Sequence, residues 1–304
     1  MAYLHSDREQ FRDAIDLAYE QTGVMVQAIE KDYYVTMLLR LLAQRMPYIV
    51  FKGGTSLSKC HKVIRRFSED IDITIDTLLS QGQKKKIKQA IVESAEELGM
   101  TIENLDETRS RRDYNRYVIA YDSVIPMASD ALKAAVLLET SYTAVSFPTV
   151  LLPVHSYIGD MMEHEAPDAI EEYNLNPFEM KVQGIDRTLA DKVFAVCDYY
   201  LQGKVAKHSR HLYDIYKLLP LVPQDENFKE LVKEVRAVRE QSVICPSALP
   251  EANVPELLEK IIKEKAYKQD YDSLTTQLLE ENVPYDTVIA TLKKVAESSI
   301  FENN

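Results

Sequence analysis

Asp70 and Asp72 stand two residues apart in Asp70-Ile71-Asp72-Ile73-Thr74-Ile75, a strictly alternating run. In a strand, residues i and i+2 share a face, so the two carboxylates project together. Neighbouring carboxylates repel unless a cation lies between them. Mg²⁺ is the hard cation suited to such a pair, and it takes substrate phosphates as further ligands. Ahead of them, Val50-Phe51-Lys52-Gly53-Gly54-Thr55-Ser56 joins a short β-rich run, 48–51, to a helix start. A Gly-Gly turn lets backbone N–H groups approach a phosphate, and the positive end of a helix points at the same place. A carboxylate pair beside a phosphate-binding turn is a metal–nucleotide site. Each piece alone is weak, because most Gly-Gly pairs are tight turns and most isolated Asp-x-Asp pairs are solvated. The order strand, turn, helix, loop, strand carries the reading.

Those residues need elements to hold them. Ser6 with Glu9 suggests a capping box for a first helix, which Gly23 stops. A second helix is expected over 24–45, a short one over 55–64, and another over 83–98. Strands are expected over 70–75, 101–105, 114–121 and 133–142. Composition shifts over 153–177, a stretch with several prolines. Beyond it, helices are expected over 188–201, 208–219 and 228–240, with two more to finish the chain. The fold class is α+β: a mixed sheet flanked by helices over 1–165, then a helical domain over 166–304.

Composition sets the outer limits. The chain has 304 residues and a formal charge of −12, with 46% hydrophobic and 28% charged residues, an ordinary mix for a water-soluble globular protein. The acidity argues against a non-specific nucleic-acid binder. No apolar run reaches the ~18–20 residues of a membrane span, and the start lacks a secretory h-region. Cys60, Cys197 and Cys245 form no CxxC pair, which argues against a disulfide framework or zinc ribbon. A reducing, cytoplasmic setting is expected. Two basic clusters stand out. Lys84, Lys85, Lys86 and Lys88 read as a solvated helix face, whereas Arg109, Arg111, Arg112 and Arg116 interleave with Tyr114 and Asn115 as a candidate RNA-backbone contact.

The strand–turn–helix followed by Asp-x-Asp resembles the nucleotidyltransferase fold of the DNA polymerase β type. A narrower resemblance covers most of the chain. Residues 28–36 (AIEKDYYVT), 51–59 (FKGGTSLSK), 66–73 (RFSEDIDI), 188–192 (TLADK) and 210–216 (RHLYDIY) look like the AbiEii/AbiGii toxin family of nucleotidyltransferases, in family order. The resemblance implies that Lys52, Gly53, Gly54, Thr55 and Ser56 hold the nucleotide phosphates and that Asp70 and Asp72 bind metal. It implies that Arg66 and Ser68 lead into the carboxylate strand, that Lys192 faces the nucleotide, and that Asp214 is the late acidic residue. Glu139 is the candidate for the superfamily's third carboxylate, replacing the usual Asp. The gap between Thr55 and Asp70 is slightly long for the superfamily, which leaves open whether Thr55 or Ser56 contacts the phosphate.

Read without the resemblance, Lys192 lies beside the stripe Leu189, Val193, Val196 and Tyr200. Asp214 interrupts an apolar run between Arg210 and Lys217, which suggests an intrahelical ion pair. His208, His211 and Asp214 do not share a helix face and are not expected to hold a metal. The expected function is a Mg²⁺-dependent transfer of NMP from an NTP to an acceptor, with Mn²⁺ as an alternative ion and release of pyrophosphate. By resemblance the chain is the toxin half of a bacterial toxin–antitoxin or phage-defence pair, with a cognate antitoxin as partner, no membrane, and RNA, most readily tRNA 3′ ends, as acceptor. Two alternatives stay open: a nucleotide- or RNA-binding protein on a degenerate nucleotidyltransferase fold, and an enzyme that transfers NMP to protein hydroxyls.

Overall fold

A computed structural model describes residues 2–68, 70–126 and 134–302, without the side chains of Thr143 and Ala144. Glu69, in one of the family-like segments, and Lys133, the expected start of a strand, lie outside the described residues. The chain divides into two units: residues 1–61 with 68–182, and residues 62–67 with 183–304.

The first unit opens with α1 (Arg8–Thr22) and α2 (Val26–Arg45). The cap of α1 is Asp7 rather than Ser6. Its carboxylate accepts from the backbone N–H groups of Glu9 and Gln10, while Ser6 ends a short 3-10 turn. Gly23 closes α1 in the left-handed conformation, as its position suggests. Then come β1 (Ile49–Lys52), α3 (Gly53–Lys59) and β2 (Ile71–Ile75). The helix after the glycines stops at Lys59, short of the expected residue 64. Lys62 takes a positive φ of 54° that no helix continues through.

The next helix, α4, spans Gln81–Glu97 and starts two residues earlier than expected because Ser80 and Gln83 form a capping box. It is followed by β3 (Thr101–Ile102), β4 (Tyr114–Ala120), β5 (Ala135–Val145) and β6 (Thr149–Val154). The proline-bearing stretch is not a linker: it folds as α5 (Tyr157–Glu165) and α6 (Pro167–Glu172) and leads into β7 (Phe178–Gln183). β7 pairs in parallel with β1, so the first unit extends to residue 182 rather than to 165.

The sheet order is β3-β4-β5-β2-β1-β7-β6. The ladders β1–β2, β3–β4 and β4–β5 are antiparallel, and β2–β5 and β1–β7 are parallel. Alternation along the central strands buries Phe51, Ile71, Ile73, Tyr117, Ile119, Val136 and Leu138 in one cluster with Phe11, Ile29, Tyr33 and Leu38 of α1 and α2. That packing fixes strand register, because a one-residue slip would turn the whole apolar set outward.

The second unit is helical: α7 (Ile185–Leu201), α8 (Arg210–Leu218), α9 (Glu226–Glu240), α10 (Val254–Glu264) and a last helix at Tyr285–Ala296. Residues 65–67 are tied into it like a strand. The Phe67 N–H donates to the Leu278 carbonyl and the Glu280 N–H to the Arg65 carbonyl, with Arg66 bridged to Leu279.

Candidate active site

Register brings four charged residues into one row of the first unit. Lys52 lies opposite Asp72, Asp72 opposite Glu139, and Glu139 opposite Arg116, across β1, β2, β5 and β4. Directly paired residues share a sheet face. Neighbouring positions on the other face, such as Phe51, Ile73, Leu138 and Tyr117, are buried, so the row occupies the polar face. Its charges run plus, minus, minus, plus. Glu139 is thereby a direct neighbour of Asp72, and Arg116 Nε stands 3.7 Å from its Oε1. Tyr114, two residues back along β4, lies on the same face and is half exposed. Burial of its ring and the nearby Glu139 carboxylate push its hydroxyl up to about 12.

The phosphate turn meets this row at Gly53. Its φ of +80° favours glycine, and a Cβ built there would fall 2.0 Å from Asp72 Oδ2. No larger residue fits between the turn and the carboxylate. Within the turn, the Ser56 hydroxyl is fully buried and donates to the Gly53 carbonyl at 2.9 Å. The Thr55 hydroxyl instead faces the Ser68 hydroxyl at 2.9 Å. Ser56 therefore braces the turn, and Thr55 and Ser68 form a hydroxyl pair beside it. Asp70 is half-buried and sits just before β2, outside the ladder that holds Asp72.

These carboxylates supply the oxygen donors a hard divalent cation prefers. Among the described residues, no three His, Cys, Asp or Glu side chains are already drawn together around a metal position. The donor chemistry of Asp72 and Glu139 fits a hard cation such as Mg²⁺.

The far end of α3 is also anchored. Lys59 Nζ donates to Asp32 Oδ1 at 2.5 Å and to the His155 carbonyl at 2.6 Å, and Asp32 Oδ2 accepts from the Tyr157 N–H at 3.0 Å. Asp32 on α2 therefore ties the turn helix to the start of α5.

The remaining expected residues gather in the second unit. Arg66 forms a two-pronged bond to Asp214, Nε to Oδ1 at 2.7 Å and Nη2 to Oδ2 at 2.8 Å. Lys192 Nζ lies 3.0 Å from Asp214 Oδ2 and 3.1 Å from His211 Nδ1. Asp214 is fully buried. Burial alone would raise its pKa, but the Arg66 and Lys192 charges outweigh that and hold it well below the usual carboxylate range. Burial lowers the Lys192 pKa, only partly offset by Asp214. Burial, with Lys192 beside it, lowers His211 to about 3.

Two local expectations are corrected here. Asp214 pairs with Arg66 and Lys192 rather than with Arg210 or Lys217, and Lys217 instead bonds Glu281 at 2.9 Å. Lys192 is buried and bonded rather than standing free at the border of its stripe. In the basic cluster, Arg109 and Arg112 donate to carbonyls of their own loop, Asp106, Thr108 and Glu107, so they build that loop. Tyr114 and Arg116 were expected only as part of a basic RNA-contacting cluster, and the pairing of Arg116 with Glu139, the anchoring of Lys59 by Asp32 and the contact of His211 with Lys192 were not anticipated. Only strand register could have exposed Arg116 as Glu139's partner.

Comparison with known families matches most of the chain. The family model described as "Nucleotidyl transferase AbiEii toxin, Type IV TA system" matches residues 36–291. The chain belongs to the AbiEii nucleotidyltransferase toxin family. It is a nucleotidyltransferase, and the family assignment makes it the toxin of a type IV toxin–antitoxin system. A cognate antitoxin and an NTP substrate follow from that membership. Among solved structures, it is similar in fold to MenT4, a nucleotidyltransferase toxin of Mycobacterium tuberculosis H37Rv. The TM-score is 0.51 at 16% identity, covering 93% of this chain and 88% of that one. No curated protein matches the chain. Among the described residues, no helix is long and apolar enough to cross a membrane.

Proposed function

We propose that this AbiEii-family toxin transfers NMP from an NTP to a hydroxyl of RNA, with tRNA 3′ ends as the leading acceptor, in a Mg²⁺-dependent reaction. The observation that carries the reading is the contact of the Asp72 carboxylate with the Gly53 turn, with Glu139 in register beside it. In this reaction the acceptor oxygen forms a bond to the α-phosphorus as the bond to the β-phosphate oxygen breaks, and pyrophosphate leaves. Gly53 and Gly54 hold the phosphates through backbone N–H groups, with Thr55 and Ser68 beside them and Lys52 offsetting their charge. Asp70, Asp72 and Glu139 hold the cation, and Glu139 takes the acceptor proton. Bound Mg²⁺ neutralises charge on the reacting phosphate and makes the hydroxyl easier to deprotonate. Positioning and charge stabilisation of this kind carry most of phosphoryl-transfer catalysis.

Incubation with each α-labelled NTP and total tRNA tests the reading. Label should enter RNA only with divalent ion, and Asp72→Asn should lower the rate by at least about a hundredfold. Asp72→Asn retains the shape packed against Gly53, so its melting temperature should stay close to wild type. Label appearing in protein rather than RNA would sink the RNA acceptor, and an unchanged Asp72→Asn rate would sink the site.

A further inference from the structure

The charged row has a direction. Lys52 and the Gly53 turn lie at its β1 end, Asp72 and Glu139 in the middle, and Arg116 at its β4 end. Three strand spacings make the row about 14 Å long, room for a triphosphate and one acceptor nucleotide. In phosphoryl transfer, attacking and leaving oxygens lie roughly in line through the transferred phosphorus. With the leaving phosphates at the β1 end, the acceptor must arrive from the β4 end.

Two residues stand there, and both suit a nucleotide. Tyr114 presents a half-exposed ring, 52% accessible, on the row's own face. Arg116 is 54% exposed and reaches Glu139 only at 3.7 Å, a loose contact between charges. Such exposed pairs are weak and readily exchanged. A guanidinium also has five N–H donors, so one contact through Nε leaves others for a phosphate.

The geometry points to Tyr114 and Arg116 as the acceptor subsite: the tyrosine ring stacks on the terminal base of an RNA 3′ end while Arg116 binds its phosphate. This inference rests on the proposed RNA transfer and adds the residues that receive the RNA. Arg116 then has two partners in turn. Without acceptor it lies beside Glu139, and with acceptor it moves to the RNA phosphate and leaves Glu139 to face Asp72.

The test is steady-state transfer to total tRNA by Tyr114→Leu, Tyr114→Phe and Arg116→Gln in the full chain. Loss of one base–aromatic stack should raise the KM for tRNA about tenfold in Tyr114→Leu, leaving the KM for NTP within about twofold. Tyr114→Phe keeps the ring and should keep the KM for tRNA near wild type, so that any change it makes in the rate at saturating tRNA reports the lost hydroxyl beside Glu139. Arg116→Gln should weaken tRNA binding and flatten its salt dependence by about 0.7 in the log–log slope, one phosphate contact on a single strand. An unchanged tRNA KM in Tyr114→Leu, or a rise in the NTP KM instead, overturns the subsite while transfer by wild type still stands. Absence of wild-type transfer to RNA overturns the subsite together with the reading beneath it.

Discussion

Asp72 and Asp214 are the same residue type in opposite surroundings. Asp72 belongs to a row on a polar sheet face, where Glu139 beside it is about one-third exposed and meets its cation at 3.7 Å. Asp214 is sealed in the second unit, gripped at both oxygens by Arg66 and again by Lys192. A carboxylate held by three cationic contacts has little capacity left for a metal, whereas Glu139, beside a second carboxylate and meeting its cation only at 3.7 Å, keeps capacity for one. The difference separates the proposed cation-binding group from one that shapes: Asp214 fixes where the Arg66 and Lys192 head groups stand. Lys192, in a family-like position, is held in the same buried bond, so truncating it should cost stability.

The contrast can be broken most directly at the buried cluster. Asp214→Ala removes the carboxylate that Arg66 and Lys192 share in the interior, and should cost about 3–5 kcal/mol of unfolding free energy in denaturant titration. A loss below about 1 kcal/mol would show that the cluster is wet and that the two carboxylates are less different than described. At the open row, Gly53→Ala should lower stability by about 1–3 kcal/mol, since its positive φ disfavours a side chain, and should abolish transfer because the new methyl displaces the Asp72 carboxylate. Retained transfer would separate the turn from the row.

A smaller, pH-dependent effect sharpens the comparison. In the folded chain His211 titrates near 3, against 6.5 for an ordinary histidine. Between those values the unfolded chain binds a proton that the folded one does not, so stability falls as pH drops from about 6.5 toward 3. The groups facing His211 are Lys192, Asp214 and Arg210, with Tyr199 and His208 stacked alongside its ring. Asp214 itself takes up a proton only well below 3.8. His211→Asn should therefore lose less stability than wild type between pH 7 and 4, and parallel losses would remove His211 from the effect. The smallest change is expected at Arg116→Gln, within about 0.5 kcal/mol of wild type in the same titration. A larger loss there would mean that the row is held as tightly as the buried cluster.

What the sequence revealed follows the range of the interaction. Alternation along β2, the Gly-Gly turn and the stripes of α1, α2 and α7 are local patterns and were legible as such. The helices and strands of 149–183 were not, because prolines and short elements interrupt any period. Glu139 was found as a residue type, but its place beside Asp72 depends on pairing between distant strands, which no local pattern encodes. The same holds for Asp214: its sequence neighbours offered helical ion pairs, yet its strongest partner, Arg66, is 148 residues away. Burial then decided between them, since a buried carboxylate needs a fully directed partner more than an exposed arginine on its own helix needs a carboxylate.

The passage of residues 62–67 through the second unit bears on how the protein can be made and divided. The ribosome completes Arg66 long before Asp214 exists to receive it, so the second unit cannot close its interior until α8 has emerged. A fragment cut at the apparent boundary, 183–304, would contain every helix of that unit yet lack the guanidinium that neutralises its most buried carboxylate. Its carboxylate would be left to Lys192 and the neighbouring His211, and the strand-like pairing of 65–67 with 278–280 would be gone. Neither unit can be cut out at a single point in the chain, because residues 62–67 lie within the sequence of the first and belong to the second.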